Sequence, residues 1–132
     1  MQYVAKEALD EGFEGMCGVA QVLANRVQEG WGEWNVVLDK ADSVVGALKV
    51  DYPIDPRNAT FRRMLTAIDD IYHGVANDDN VNIFNPFDQQ KQVSLYYCNP
   101  LNCPLEWFRT NILADEPNHH RLASIGSLIF FT

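Results

Sequence analysis

Glu7 and Glu11 are the residues from which a chemistry is most directly read. Four apart in a helical stretch, they fall on one helix face. Two carboxyl groups so placed raise one another's proton affinity, and glycosidic bond cleavage asks for an acid that stays protonated near neutral pH. Standing alone, such a pair is more commonly a solvated acidic face. A second group is Tyr96-Tyr97-x-Asn99. On an alternating strand one tyrosine points to the core and the other outward. An exposed tyrosine beside an amide offers a sugar a stacking face and hydrogen bonds. The plainer alternative is that both tyrosines pack and Asn99 turns the chain into Pro100. Trp107 is either a further sugar platform or a core residue, while Trp31 and Trp34 read as packing. Cys98, Cys103, His119 and His120 carry the ligand atoms zinc prefers. Their spacing fits no zinc pattern, adjacent histidines point apart, and no acid stands ready to orient a Cys-His nucleophile. No metal or cofactor is expected, and His119-His120 after Pro117 reads as a solvated loop.

These side chains need elements to hold them. Residues 2–11 read as a helix closed at Gly12, a residue type that readily takes the left-handed conformation. A second helix is predicted over about 14–29, with Val19, Val22, Leu23 and Val27 at helical spacing and Gly30 as its stop. From Trp31 to Pro56 the periodicity weakens into two apolar clusters. A third helix is predicted from Asn58, a good N-cap, to His73, with Phe61, Leu65, Ile68 and Tyr72 along its buried face. Residues 77–92, rich in Asn, Asp and Gln, read as a surface loop. Val93–Cys98 and Ser124–Thr132 are β-prone, and Gly126 permits a bend in the second. The fold class is therefore α+β, mainly helical with a small antiparallel β element, in one domain over residues 1–132.

Composition narrows the function. With 47% apolar and 21% charged residues the chain belongs to the globular class. A net charge of −8 argues against nucleic acid, whose binders show a basic face. It also removes long-range attraction to an anionic cell wall. No apolar run approaches the ~20 residues of a membrane span, no polybasic stretch marks a membrane surface, and the opening residues do not read as an export signal. The three cysteines, Cys17, Cys98 and Cys103, read as reduced thiols, with a local Cys98–Cys103 disulfide as the alternative.

Beyond these residue-level readings, the run Lys6-Glu7-Ala8-Leu9-Asp10-Glu11-Gly12-Phe13-Glu14-Gly15, followed by Val19-Ala20, Val22 and Asn25-Arg26-Val27, resembles the opening of the SleB-type cell wall hydrolase domain. That family includes spore cortex-lytic enzymes and phage lysins. Downstream, Leu95-Tyr96-Tyr97-Cys98-Asn99-Pro100 is similar to its aromatic-Asn-Pro segment, and Trp107-Phe108, Ile125-Gly126 and Phe130-Phe131 to its close. The matches run in the family's order along almost the whole chain. The resemblance implies a lysozyme-like fold and cleavage between N-acetylmuramic acid and N-acetylglucosamine, with Glu7 as the essential acid. Glu11 then tunes Glu7, binds substrate or, in a hydrolytic version, positions a water. It favours Asn99 and at least one of Tyr96 and Tyr97 as substrate contacts, with Trp107 kept as a candidate platform beside them; no cofactor enters, and the expected form is a monomer acting on peptidoglycan glycan strands. Leu9 and Asp10 stand where the family has Arg and Gly, so Glu11 is expected to be held differently. Three readings stay open: a lytic transglycosylase, a muramidase using Glu7 with Glu11, and a non-catalytic wall-binding domain of the same fold. A phage lysin, waiting in the host cytoplasm or carried on the virion, fits better than a spore enzyme.

Overall fold

The computed structural model describes residues 1–45, 52–76, 93–101, 103, 105–115 and 117–132. The predicted loop over 77–92 lies outside them. The element order is α1 (Gln2–Ala8), a 3₁₀ turn (Leu9–Glu11), α2 (Gly12–Gln28), α3 (Trp34–Val45), α4 (Ala59–Ala76), β1 (Tyr96–Cys98), α5 (Glu106–Phe108) running into a wide π turn (Arg109–Leu113), β2 (Arg121–Ile125) and β3 (Leu128–Phe131). The domain is mixed α+β and mainly helical, with one three-stranded antiparallel sheet in the order β1-β3-β2.

α2 is the axis of the fold. Met16, Cys17, Val19, Val22, Leu23 and Ala24 are all buried, so it is apolar nearly all round and other elements pack against it from several sides. α1 lays Tyr3, Val4 and Ala8 on it, α3 adds Val37 and Ala41, and α4 adds Met64 and Ile71. Small residues set the closest approach. A Cβ on Gly18 would lie 2.6 Å from Cζ of Phe130, so the missing side chain lets that fully buried ring rest on the helix backbone.

The sheet is covered on both faces. Leu128, Phe130 and Tyr97 face the main core, while Cys98, Ile129 and Phe131 pack with Phe108 and Ile112 in a second apolar cluster. The register pairs Tyr96 with Phe131 and Tyr97 with Phe130. The polar C-terminal half of α2 holds the segment leading into β1. Gln21 donates to Asn25 Oδ1 (2.9 Å), Asn25 donates to Ser94 O (2.9 Å), and Arg26 Nε donates to Leu95 O (2.9 Å). With Asn25 and Ser94 buried, each backbone or side-chain polar group so matched avoids a desolvation cost of ~1–3 kcal/mol.

Several expectations are corrected. The first helix ends at Ala8 rather than Glu11, because Ala8 leaves helical geometry (φ −140°, ψ 14°) and a tight 3₁₀ turn follows. Gly12, at φ 73°, opens α2 instead of merely closing α1. The weakly periodic stretch after Trp31 contains α3. Asn58 does cap α4, accepting from the amides of Thr60 (2.9 Å) and Phe61 (3.3 Å). That helix runs past the predicted end at His73 to Ala76. The buried face of α4 is Phe61, Met64 and Ile71, with Leu65 and Tyr72 exposed, so the helix is rotated about its axis from the predicted stripe. The closing β-prone segment is not one bent strand: Ser124 and Ile125 end β2, which starts earlier at Arg121, and after the turn at Gly126 the rest forms β3.

Candidate active site

Glu7 sits half-buried near the C-terminal end of α1, within reach of Tyr97 on β1. The Tyr97 hydroxyl donates to Glu7 Oε2 at 3.0 Å, and the Tyr3 and Tyr97 hydroxyls lie 2.8 Å apart. Since Tyr97 gives its one proton to the carboxylate, Tyr3 is the donor in the second bond. Two phenols thus line up behind one carboxyl group. Burial raises the Glu7 pKa above its ordinary value, opposed by the Tyr97 hydrogen bond and the charge of Lys6. Burial and the neighbouring Tyr3 and Glu7 push Tyr97 well up, so this phenol stays a proton donor across the working range. Among the described residues Oε1 of Glu7 has no hydrogen-bond partner.

This carboxyl group lies on the wall of a groove of about 670 Å³. Tyr3 and Glu7 come from α1, Val37, Lys40, Ala41 and Val44 from α3, and Tyr96, Tyr97 and Cys98 from β1. Asn99, Cys103, Leu105, Trp107 and Phe108 follow from the segment after β1, Arg26 comes from the last turn of α2 with Trp31 just after it, and Leu128 also lines it. Glu7, Tyr96, Tyr97, Asn99 and Trp107 are therefore brought together at one cavity. Trp107 is 58% exposed, a flat aromatic face at the rim. The two tyrosines take opposite sides of the strand. Tyr97 stacks toward Phe130 of the main core (6.2 Å), while Tyr96 meets Phe108 (6.4 Å) and the edge of His119 (5.2 Å). Both are half-buried, and both line the groove.

Glu11 goes elsewhere. The Ser127 amide donates to Glu11 Oε2 at 2.9 Å and the Ser127 hydroxyl donates to Oε1, tying the end of the 3₁₀ turn to the β2–β3 turn. These bonds lower the Glu11 pKa, so it is held ionised, and what shifts Glu7 is its own burial, Tyr97 and Lys6. The expected mutual raising by two carboxylates on one face is not what the geometry provides. The break at Ala8 swings Glu11 off the face that carries Glu7, toward a turn where Gly126 (φ 56°) leaves room for it.

Two residues at the groove were not singled out from sequence. Arg26 places its guanidinium 5.1 Å from the Trp31 ring centroid and 5.6 Å from that of Tyr96. Trp31, read as packing, is 38% exposed at the groove end, whereas Trp34 does pack, against Tyr72 (5.9 Å). The zinc-type residues are dispersed. Cys98 and Cys103 are neighbouring buried thiols on the groove floor, His119 sets Nδ1 3.0 Å from Thr132 O, and His120 is exposed. Among the described residues no three His, Cys, Asp or Glu side chains converge as metal ligands, and no helix is long and apolar enough to cross a membrane. No family model, curated protein or solved structure matches the chain.

Proposed function

We propose that this domain cleaves the glycan strand of peptidoglycan, at the bond between N-acetylmuramic acid and N-acetylglucosamine, with Glu7 as general acid and then base. The observation that carries the reading is Glu7 itself: a carboxyl group made more proton-retentive by burial, oriented by Tyr97, with its second oxygen unclaimed among described residues, on the wall of a groove large enough for sugar rings. Trp107 and Tyr96 offer faces for sugar stacking, and Asn99 an amide for N-acetyl or hydroxyl groups. The resemblance in sequence to SleB-type hydrolases supports the same substrate and a lysozyme-like arrangement of helix, acid and sheet.

In this reaction protonated Glu7 gives its proton to the bridging oxygen as the glycosidic bond breaks. The resulting carboxylate accepts the proton of the muramoyl C6 hydroxyl while that oxygen attacks C1, closing a 1,6-anhydro ring. Tyr97, remaining protonated, donates throughout to Oε2 and steadies the carboxylate form when it appears. The lyase is favoured over a two-carboxylate muramidase because Glu11 is engaged by Ser127, and Glu7 is the one carboxylate among the described residues of the groove. In this reading the protein is a phage-type lysin that meets its substrate only after release or carriage to the wall.

Digestion of purified peptidoglycan with wild type and Glu7→Gln, followed by mass analysis, tests the proposal. Wild type should release anhydro-muramoyl ends and Glu7→Gln none. Reducing muramoyl ends would convert the reading to hydrolysis, and undiminished cleavage by Glu7→Gln would sink it.

A further inference from the structure

Arg26 is a charge that glycan cleavage does not use. The chain has 18 acidic against 10 basic side chains, yet the charged described residues at the groove are Glu7, Arg26 and Lys40. Two of these three are cations, an inversion of the balance in the acidic chain as a whole.

The Arg26 side chain is built into position rather than left to sample solvent. Nε donates to Leu95 O at 2.9 Å, and the guanidinium lies 5.1 and 5.6 Å from the centroids of Trp31 and Tyr96. These contacts fix the plane of the fork and, among the described residues, consume one of the five N–H donors that an arginine carries. Among the described residues the ion pairs are Arg57–Asp55 and His73–Asp69, and Arg26 belongs to neither. A partly desolvated guanidinium without a counter-ion is costly unless something else supplies the anion. Its planar, pre-oriented fork suits a carboxylate, which it can bind through two parallel hydrogen bonds.

We infer that Arg26, with Lys40 as a second cation on the same groove, forms a subsite for a carboxylate carried by the glycan, so that the domain selects acidic strands over neutral N-acetylated polymers. This deepens the glycan-cleavage reading and rests on it. The carboxylate is either that of the lactyl ether on the muramoyl sugar or one on the peptide stem, and the chemistry at Arg26 is the same for both. The selectivity also answers the net charge of −8: attraction to an anionic wall is supplied locally, inside the groove, where the long-range field works against it.

The test is binding to glycan strands by protein carrying Glu7→Gln, which blocks turnover. Four strands are compared: stem-free with free lactyl carboxylates, the same strands methyl-esterified, stem-bearing, and stem-bearing after esterification. Esterification should weaken binding by about ten- to a hundredfold, the range of a charge-assisted fork. The pair in which this occurs identifies the carboxylate. Adding Arg26→Gln should bring acid and ester strands to the same affinity, while Arg26→Lys keeps part of the preference. Equal binding of acid and ester strands in both pairs overturns the subsite, as does a preference undiminished in folded Arg26→Gln. If Arg26→Gln does not fold, as judged by its melting curve, the acid-ester comparison in Arg26-containing protein and the response of Arg26→Lys decide. Cleavage of unmodified wall is scored separately on wild type. Intact cleavage without ester discrimination removes the subsite alone, whereas absent cleavage removes the parent reading and leaves the binding result standing.

Discussion

Replacing Gly126 by alanine should damage the protein through Glu11, 115 positions away by number. Gly126 is at φ 56°, where an L side chain costs about 1–2 kcal/mol. The added methyl would also overlap Oε2 of Glu11, the oxygen that accepts the Ser127 amide. Glu11 would therefore have to leave both Ser127 donors. Charge-assisted bonds are worth more than neutral ones, but this pair lies near the surface, and after discounting for solvent roughly 1 kcal/mol remains. The sum, about 2–3 kcal/mol, should lower the melting temperature by roughly 10 °C for a domain of this size. Circular dichroism melts of Gly126→Ala, Glu11→Ala and the double variant separate the two parts. In the Glu11→Ala background the methyl should cost only the backbone strain, so the double variant is more stable than the sum of single losses predicts, by about 1 kcal/mol. Fully additive losses would refute the idea that Gly126 exists to seat Glu11. Cleavage per folded molecule in Glu11→Ala should be retained, and loss of cleavage with an unchanged melt would return Glu11 to the chemistry.

The two glutamates should respond to pH in opposite directions. Burial raises the Glu7 pKa, so its contribution favours the fold below the unfolded value and is lost as pH rises through the folded one. Glu7→Gln should then melt roughly 2–4 °C higher than wild type near neutral pH, a gain that disappears in acid. Glu11 is lowered, so its contribution is present above its unfolded value and fades as pH falls through the folded one. Tyr97→Phe leaves burial at Glu7 less opposed, so the alkaline limb of the cleavage profile should move to higher pH, with kcat down about tenfold. Gly18→Ala forces a methyl against the Phe130 ring and should cost about 1–3 kcal/mol in urea unfolding, with little change in the profile. Trp107→Ala, at an exposed rim position, should raise KM several-fold while leaving the melt within a degree or two.

Much of the site could be read from the residue order because it lies on short, strongly patterned segments. Glu7 precedes a glycine punctuation, and Tyr96, Tyr97 and Asn99 precede a proline that ends the strand. What escaped was set by partners distant in the chain. The destination of Glu11 depends on Ser127, and nothing local announces a break at Ala8, a residue type that favours helix. Arg26 has the look of an ordinary helix-end cation until Leu95 arrives to take its Nε. α3 was obscured because Trp34, Val36 and Val37 crowd together, masking a face on which, among the described residues, Val37 and Ala41 are the ones fully buried. On α4 a stripe of Phe61, Leu65, Ile68 and Tyr72 and one of Phe61, Met64, Ile68 and Ile71 both obey helical spacing. Packing against α2 chose the second.

The placement of tryptophan gives the groove a built-in optical signal. Of the three indoles, Trp31 and Trp107 line the cavity, one beside a guanidinium and one at the open rim, while Trp34 rests against Tyr72 away from it. A strand entering the groove dries Trp107 and changes the field at Trp31, so emission wavelength and quenching by iodide should follow occupancy without any label. Trp107→Phe and Trp31→Phe would then divide the response between the rim and the cationic end, turning intrinsic fluorescence into a ruler for how far a ligand reaches.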